Sequence, residues 1–525
     1  MKRTVFFKNA AILTITSLLL RSAGMIFRIY TSGVIGAEGM GVYQLILSVY
    51  VLASTFATAG ISTAVTRLVT DALAQNQYGH VKRVMLRSVG LSVGIGVISA
   101  IILYSGADRI GTLLLNDART VPAIRILGLG LPFMGVTACL RGYFLARRRT
   151  GDSSLGQLLE QAIRMLLIWY LLTRLHEQNI TRACAAILIG DVTAEGAACL
   201  FLWLRYRSDR RSQPVASRDE PSVPLMRPLL QIAIPITAGR YLSTALRTIE
   251  NILVPSRLTM HCGSREQSLS SFGALKGMAL PLLFFPSSFL GAFSMLLIPE
   301  ISEANTLGHT LRVQSAVRRT LRLTLLSSFL IGGIFIVYAD TLGIKLYQSH
   351  EVSLYVKVLA PLTPIMYTES VVDGILKGLG QQVSSLKYSM LDSATRIVMI
   401  WLIVPQFGMP GFLFVMLVSN LLTCFLNIHR LLTVTSVRFE WGQWVILPLI
   451  SVGVASVLSA ALVSLTSLNG FAALCVGGIV TTAVYLPLLL ALKCLKTDDL
   501  PLHTKQHGNT PLSPLKESEF LKQFD

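Results

Sequence analysis

Four arginines offer the strongest chemistry in this sequence. Arg21 and Arg28 lie seven residues apart inside the apolar stretch 10–36, and Arg240 and Arg247 repeat that spacing in a second apolar stretch. Seven residues make about two helical turns, so each pair points to one helix face. No acid stands beside Arg21 or Arg28 in the first stretch. An unpaired guanidinium at membrane depth costs roughly 2.5–3.5 kcal/mol on insertion scales. A chain tolerates that where the face lines a water-filled cavity or grips an anion, and guanidinium forks suit phosphate. The simpler alternative is snorkelling to a lipid headgroup, which is easier for Arg28 near the end of the stretch than for Arg21 near its middle. Glu250 follows on the second stretch and is grouped with the arginines as substrate-binding, its alternative being an i,i+3 pair with Arg247.

A second constellation pairs Glu160 with Arg164 and, later, Asp392 with Arg396; each acid precedes its base by four residues. That order is favoured on a helix, so both read as structural ion pairs that neutralise buried charge. Arg141 and Asp373 are possible further partners, and Glu369, Asp373 and Lys377 continue one charged face. Asp191 and Glu195 form an acidic i,i+4 pair with no base at helical spacing, which makes them the candidates for a coupling ion.

The elements that must position these residues are membrane helices. The chain has 525 residues, is 52% hydrophobic and only 14% charged, and has a mean hydropathy of +0.61. Apolar runs recur along nearly its whole length, so the expected fold is an all-α integral membrane protein rather than a soluble domain or a β-barrel. A window of about 20 residues gives about fourteen spans, near 10–35, 41–66, 84–105, 121–145, 155–174, 183–205, 228–254, 272–299, 320–340, 354–379, 385–404, 409–431, 444–466 and 469–492. The net charge of +19 falls mostly in alternate loops, at 67–87, 147–149, 205–227, 312–319, 377–387 and 430–438. That alternation is a topology signal and not a nucleic-acid patch; it places both termini in the cytoplasm of a cell-membrane protein. The basic N-terminus precedes an apolar run that Arg21 interrupts and that continues to about Gly36 with no small-residue cleavage site after it, so it reads as an uncleaved first span.

The halves repeat. Residues 159–172 align without gaps on 391–404 at an offset of 232, and Arg21 and Arg28 align on Arg240 and Arg247 at an offset of 219. Six spans therefore match six spans in the same orientation, followed by two extra ones, a pattern of parallel-repeat transporters. The expected division is a six-helix lobe and linker over 1–227, a second six-helix lobe over 228–435, and two further helices with a polar tail, read as disordered, over 436–525. The Pro-rich, polar stretch 205–227 reads as the linker.

No GxxxxGK[ST] loop, no HExxH and no Cys/His cluster occurs; His503 and His507 in the tail are only weakly metal-like. The seven cysteines show no paired spacing and read as packing residues. No nucleophile with a base and an orienter emerges, so a transporter without a cofactor fits better than an enzyme.

The stretches RSAGMIFRIYTSGVIGAEGMGVYQL at 21–45, LRGYF at 140–144 and LEQAIR at 159–164 resemble the stage V sporulation protein B group of polysaccharide exporters. The superfamily of that group also holds lipid II flippases and multidrug extruders. The resemblance implies a V-shaped bundle of two six-helix lobes that moves lipid-linked saccharide precursors outward in cell-wall or spore-cortex peptidoglycan synthesis. It implies as partners an anionic lipid-linked saccharide, membrane lipids and a cell-wall synthase. The R-x-x-G-x-x-R pattern of the lipid II flippases is matched by Arg21 and Gly24, with Arg28 one position late and Ile29 where an acid follows in those proteins. The alternatives are a cation-coupled multidrug extruder, which needs an acidic cavity, and a non-transporting scaffold of a polysaccharide synthesis complex.

Overall fold

The computed structural model describes residues 3–174, 179–212, 226–466 and 470–495. Among them every regular element is helical. The first set comprises α1 (Arg3–Ala74), α2 (Tyr78–Arg109), α3 (Val121–Ala146), α4 (Thr150–Arg174) and α5 (Ile180–Arg211). The second comprises α6 (Met226–Cys262), α7 (Arg265–Phe272), α8 (Leu280–Phe284), α9 (Ser287–Thr306), α10 (Thr310–Val337), α11 (His350–Leu359), α12 (Thr363–Gly378) and α13 (Gln382–Thr435). Two helices follow, α14 (Leu447–Leu465) and α15 (Phe471–Ala491).

Nine helices among the described residues are long and apolar enough to cross a membrane. Only helices satisfy every backbone group inside lipid without closing a barrel, which is why apolar runs of this length fold this way. Two of the nine are hairpins. α1 reverses at Gly36 (φ 70°) and α13 at Gly408 (φ 59°), a conformation that glycine adopts without a Cβ penalty. At Gly408 a Cβ would also lie 2.5 Å from the His261 ring. Three further helical stretches, α6, the run α7–α9 and the run α11–α12, are broken or charged and are not among the nine. The run α7–α9 passes through a wide π-helical turn at 273–279 and breaks at Pro286. α11 gives way to α12 through a tight turn holding Pro361, whose missing N–H and fixed φ end the regular ladder.

The helical stretches alternate between two ends. The turns at 75–77, 147–149, 307–309, 379–381 and 436–441 lie at the end bearing the basic loops. The segment read as a linker is helical as far as Arg211, because α5 runs past the expected boundary; residues 213–225 and the tail from 496, with His503 and His507, lie outside the described residues.

The main apolar core joins both sets, from Ile35, Met40 and Leu45 through Leu127 and Ile187 to Phe272, Leu275 and Phe412. Each set has its own smaller core toward the basic end, around Val65, Tyr143 and Leu202 in the first and around Val317, Val372 and Trp444 in the second. The last two helices pack on α10 through Leu326, Val452 and Tyr485.

The sets meet closely at the end opposite the basic loops. A Cβ on Gly41 would fall 2.1 Å from the Leu269 carbonyl oxygen, and one on Gly273 would fall 2.0 Å from that of Ala37. Small residues let membrane helices approach to this distance. Arg265 Nη2 adds a bond to the Leu115 carbonyl oxygen at 2.5 Å. Along one side, residues 37–74 of α1 also pack on α6: Thr248 Oγ1 donates to the Ser48 carbonyl oxygen at 3.0 Å, and Asn251 Nδ2 to Ser48 Oγ at 2.9 Å.

Candidate functional site, a cationic cavity between the helix sets

Away from that closed end the sets separate around a chain of connected cavities. The largest, about 1010 Å³, is lined by Arg240, Ser243, Thr244 and Arg247 of α6, by Glu369, Asp373 and Lys377 of α12, and by Thr55 and Thr58 of α1. It extends to Gln382 and Ser385 at the basic end. It shares Phe284 and Ser370 with a second chamber of about 520 Å³, lined by Arg21, Gly24, Met25 and Arg28 of α1 and by Ser287 and Ser288 of α9. Gly24 and Arg28 pass on into an alcove of about 290 Å³ within the first set, lined by Tyr43, Gln161, Arg164 and Asp191.

The same positions of each repeat build the wall. Residues 21, 24, 25 and 28 line it from α1, and 240, 243, 244 and 247 line it from α6, at the offset of 219. This i, i+3, i+4, i+7 pattern is one helix face. All four arginines are thus brought to one connected space. Arg21 Nη1 donates to Ser288 Oγ at 3.0 Å, a link from one helix set to the other. No acid lies within ion-pair distance of Arg28, Arg240 or Arg247 among the described residues. The two larger chambers carry five cations (the four arginines and Lys377) against Glu369 and Asp373. One of those acids is already engaged, since Asp373 is held by Lys377 Nζ at 2.5 Å and by the Ser385 hydroxyl. The space is therefore net cationic, and its arginines have free donors.

Glu250, grouped with these arginines from the sequence, is placed elsewhere. It is 3% exposed and bound to Lys276 Nζ at 2.9 Å and to Arg396 Nη1 at 3.3 Å. It makes no pair with Arg247. A three-residue step rotates about 60° short of a full turn, so when Arg247 faces the cavity Glu250 faces α13 and the π-helical turn. It serves as a tie behind the wall.

The repeated ion pairs lie outside the two larger chambers as well, with Arg164 facing the alcove. Arg164 Nη2 binds Glu160 at 2.6 Å and Arg396 Nη2 binds Asp392 at 2.6 Å. Each arginine then takes a second acid from another helix: Asp191 of α5 at 2.8 Å for Arg164, and Glu250 of α6 for Arg396. Arg141 joins Glu160 at 2.6 Å. Asp373, at the matching position of the second repeat, cannot pair with Asp392 and turns to Lys377 and Ser385 instead. Ser419 completes the second cluster, bonded to Asp392 and accepting from Arg396 Nε at 2.9 Å. Asp191, which lacks a base at helical spacing, finds one across the helix boundary in Arg164 and also accepts from the Tyr43 hydroxyl at 3.5 Å. Glu195 is buried at 6% exposure and has no ion pair among the described residues.

The hydroxyl and amide lining of the large chamber, including Ser243, Thr244, Ser385, Ser389 and Asn427, did not enter the sequence reading. For Ser243 and Thr244 the signal is present, since both lie on the face that Arg240 and Arg247 define. Ser288 and Lys276 reach the site only through tertiary contact, and no local pattern marks them.

The comparisons with known proteins agree with this architecture. The chain is 23% identical over 508 residues to the stage V sporulation protein B of Bacillus subtilis, covering 95% of this chain and 98% of that protein. Its fold matches a multidrug resistance MATE family transporter in an inward-facing conformation (TM-score 0.64, 13% identity, 81% of this chain and 98% of that one). It likewise matches the lipid II flippase MurJ in an inward closed conformation (TM-score 0.61, 12% identity, 92% and 98%). The model of the polysaccharide biosynthesis protein family matches residues 6–305, more than half of the sequence, so the chain belongs to that family.

Proposed function

We propose that this multi-pass membrane transporter, which is not an enzyme, is a flippase for lipid-linked saccharides that bear a diphosphate. The observation that carries the reading is the cavity's charge: two arginine faces from equivalent helices, with free donors and five cations against two acids. Guanidinium pairs bind phosphoryl oxygens bidentately, and the hydroxyl and amide lining suits sugar. The resemblance to a stage V sporulation protein and the fold shared with a lipid II flippase support a peptidoglycan-type precursor as the cargo.

In this reading residues 1–227 and 228–435 are two lobes, 436–525 is an added pair of helices with a tail, and the chain crosses fourteen times with both termini in the cytoplasm. The basic end is then cytoplasmic, and the cavity is open to it while the far ends of the lobes are closed. The diphosphate enters beside Arg240 and Arg247, passes to Arg21 and Arg28, and leaves outward when the lobes rock apart at Gly41 and Gly273. The polyprenyl chain remains in lipid at the gap beside α1. An inside-negative potential favours anion export by about 2.3 kcal/mol per charge per 100 mV. Asp191 and Glu195, in and beside the alcove behind Arg28, are the groups through which an ion gradient would couple. A cell-wall synthase that draws on the flipped product is the expected protein partner. A net cationic cavity disfavours the extruder alternative, since it would repel cationic drugs.

The test is transport by the purified protein in sealed vesicles. The reading predicts that it moves a labelled polyprenyl-diphosphate saccharide and leaves a cationic dye behind. Dye movement driven by a proton gradient, with a stationary lipid, would establish the extruder reading instead.

A further inference from the structure

A second cationic site lies outside the transport cavity. α2 and α5 form a groove of about 340 Å³ on the outer face of the first set, near the basic end. Lys82, Arg207, Arg210 and Arg211 line it together with Leu86 and Trp203. None of its residues lines the central chambers.

The groove is graded by depth. On α2, Lys82 lies nearest the basic end, with Leu86 and Val89 up to about 10 Å deeper at roughly 1.5 Å per residue. On α5 the order is mirrored: Arg211, Arg210 and Arg207 at the basic end, then Tyr206 and Trp203 toward the bilayer. Leu86 is 72% exposed and Trp203 is 41% exposed, so the deep part faces lipid. Trp203 packs on Tyr206 at 5.8 Å between ring centroids, and Tyr206 on Tyr143 at 4.8 Å, which fixes that wall.

The positive-inside rule alone would account for basic residues at this end. It does not account for the convergence of four of them on one apolar slot. At the same end of the same helix set, Arg147 and Arg149 are bound to Asp209, and Arg205 is bound to Asp152. Among the described residues the four cations of the groove have no ion pair and no acid lines it. Four cations without an ion pair, Arg210 among them hydrogen-bonded to Tyr206, stand above an apolar, aromatic slot and match a phosphate headgroup above acyl chain, the arrangement by which basic pockets between membrane helices recognise anionic lipids.

We propose that the α2–α5 groove is a binding site for an anionic phospholipid, held by Lys82, Arg207 and Arg210 at the phosphate and by Leu86 and Trp203 along the chain. The full-length protein, delipidated in a neutral detergent, is titrated with phosphatidylglycerol, with phosphatidylcholine and with soluble glycerophosphate, and bound ligand is read by native mass spectrometry. Retention of phosphatidylglycerol over phosphatidylcholine is expected. Replacing Lys82, Arg207 and Arg210 together by Gln should weaken phosphatidylglycerol roughly a hundredfold, from the contribution of each charge near a membrane surface. Arg207→Lys should retain it, and Trp203→Ala should weaken it while leaving the protein folded. A control that replaces Arg67, Arg87 and Arg312 by Gln, removing three charges outside the groove, should retain it. Equal losses in the two triple variants would reduce the effect to overall charge and overturn the site. Glycerophosphate binding as tightly as the lipid would overturn the lipid assignment.

Discussion

Arg247 and Glu250 stand three residues apart on α6 and are assigned opposite roles, so neutralising each in turn separates them. Glu250 is 3% exposed and holds two cations, Lys276 at 2.9 Å and Arg396 at 3.3 Å. Breaking a buried ion pair from one side strands the other charge, at about 3–5 kcal/mol. Arg396 keeps Asp392 at 2.6 Å, and Lys276 is 20% exposed and partly rehydrates, so Glu250→Gln should cost about 3 kcal/mol, the low end of that range. Arg247 is exposed to the cavity and has no ion pair, so Arg247→Gln should change stability by no more than about 0.5 kcal/mol. Its loss should fall on the cargo instead. A charge-assisted hydrogen bond is worth about 1.5–3 kcal/mol, or roughly 10–150-fold in affinity. The assay is thermal unfolding of both variants in detergent, with and without a polyprenyl-diphosphate saccharide. Glu250→Gln should melt several degrees lower and still be stabilised by ligand. Arg247→Gln should melt with the wild type and lose the ligand-induced shift. The reverse outcome, or a lower melting point for Arg247→Gln alone, would refute the assignment of cavity and wall.

Three further predictions rest on single contacts. Gly273→Ala places a Cβ 2.0 Å from the Ala37 carbonyl oxygen, so the closed ends should part; a cysteine introduced at Ser243 should then react faster with an impermeant thiol reagent added from outside. Asp209 ties Arg147 and Arg149 at 3% exposure, and Asp209→Asn should lower stability by about 2–3 kcal/mol in thermal unfolding, less than for a fully buried pair because Arg149 is 44% exposed. Asp191→Asn removes the alcove's carboxylate while Arg164 keeps Glu160 at 2.6 Å. It should lower gradient-driven flipping in sealed vesicles and leave downhill flipping intact, and equal loss of both would make Asp191 structural.

The fold was legible in the sequence because a membrane span must be both long and apolar, which leaves a signal no packing detail can hide. Even the hairpins were visible: the expected spans break between 35 and 41 and between 404 and 409, where Gly36 and Gly408 reverse the chain. Less visible was the interior of the expected eighth and tenth spans, where Pro286 and Pro361 divide apolar runs that read as single helices. The arginine faces were legible because a helical face is a local property. Glu250 was misplaced because its i,i+3 relation to Arg247 fixes only their angular offset and not which neighbour covers each face. The pairing of Asp191 with Arg164 joins α5 to α4, and a contact between helices leaves no local spacing to read.

The central claim is that two repeated arginine faces hold an anionic headgroup between the helix sets. Its most direct measurement is the rate at which a labelled polyprenyl-diphosphate saccharide crosses sealed vesicles containing the wild type, Arg21→Gln or Arg240→Gln, each checked for insertion and folding. The account predicts that the wild type flips the label and that each variant, one from each face, flips it at least about tenfold more slowly. Wild-type rates in both variants would show that the arginines serve helix packing alone and would contradict the account.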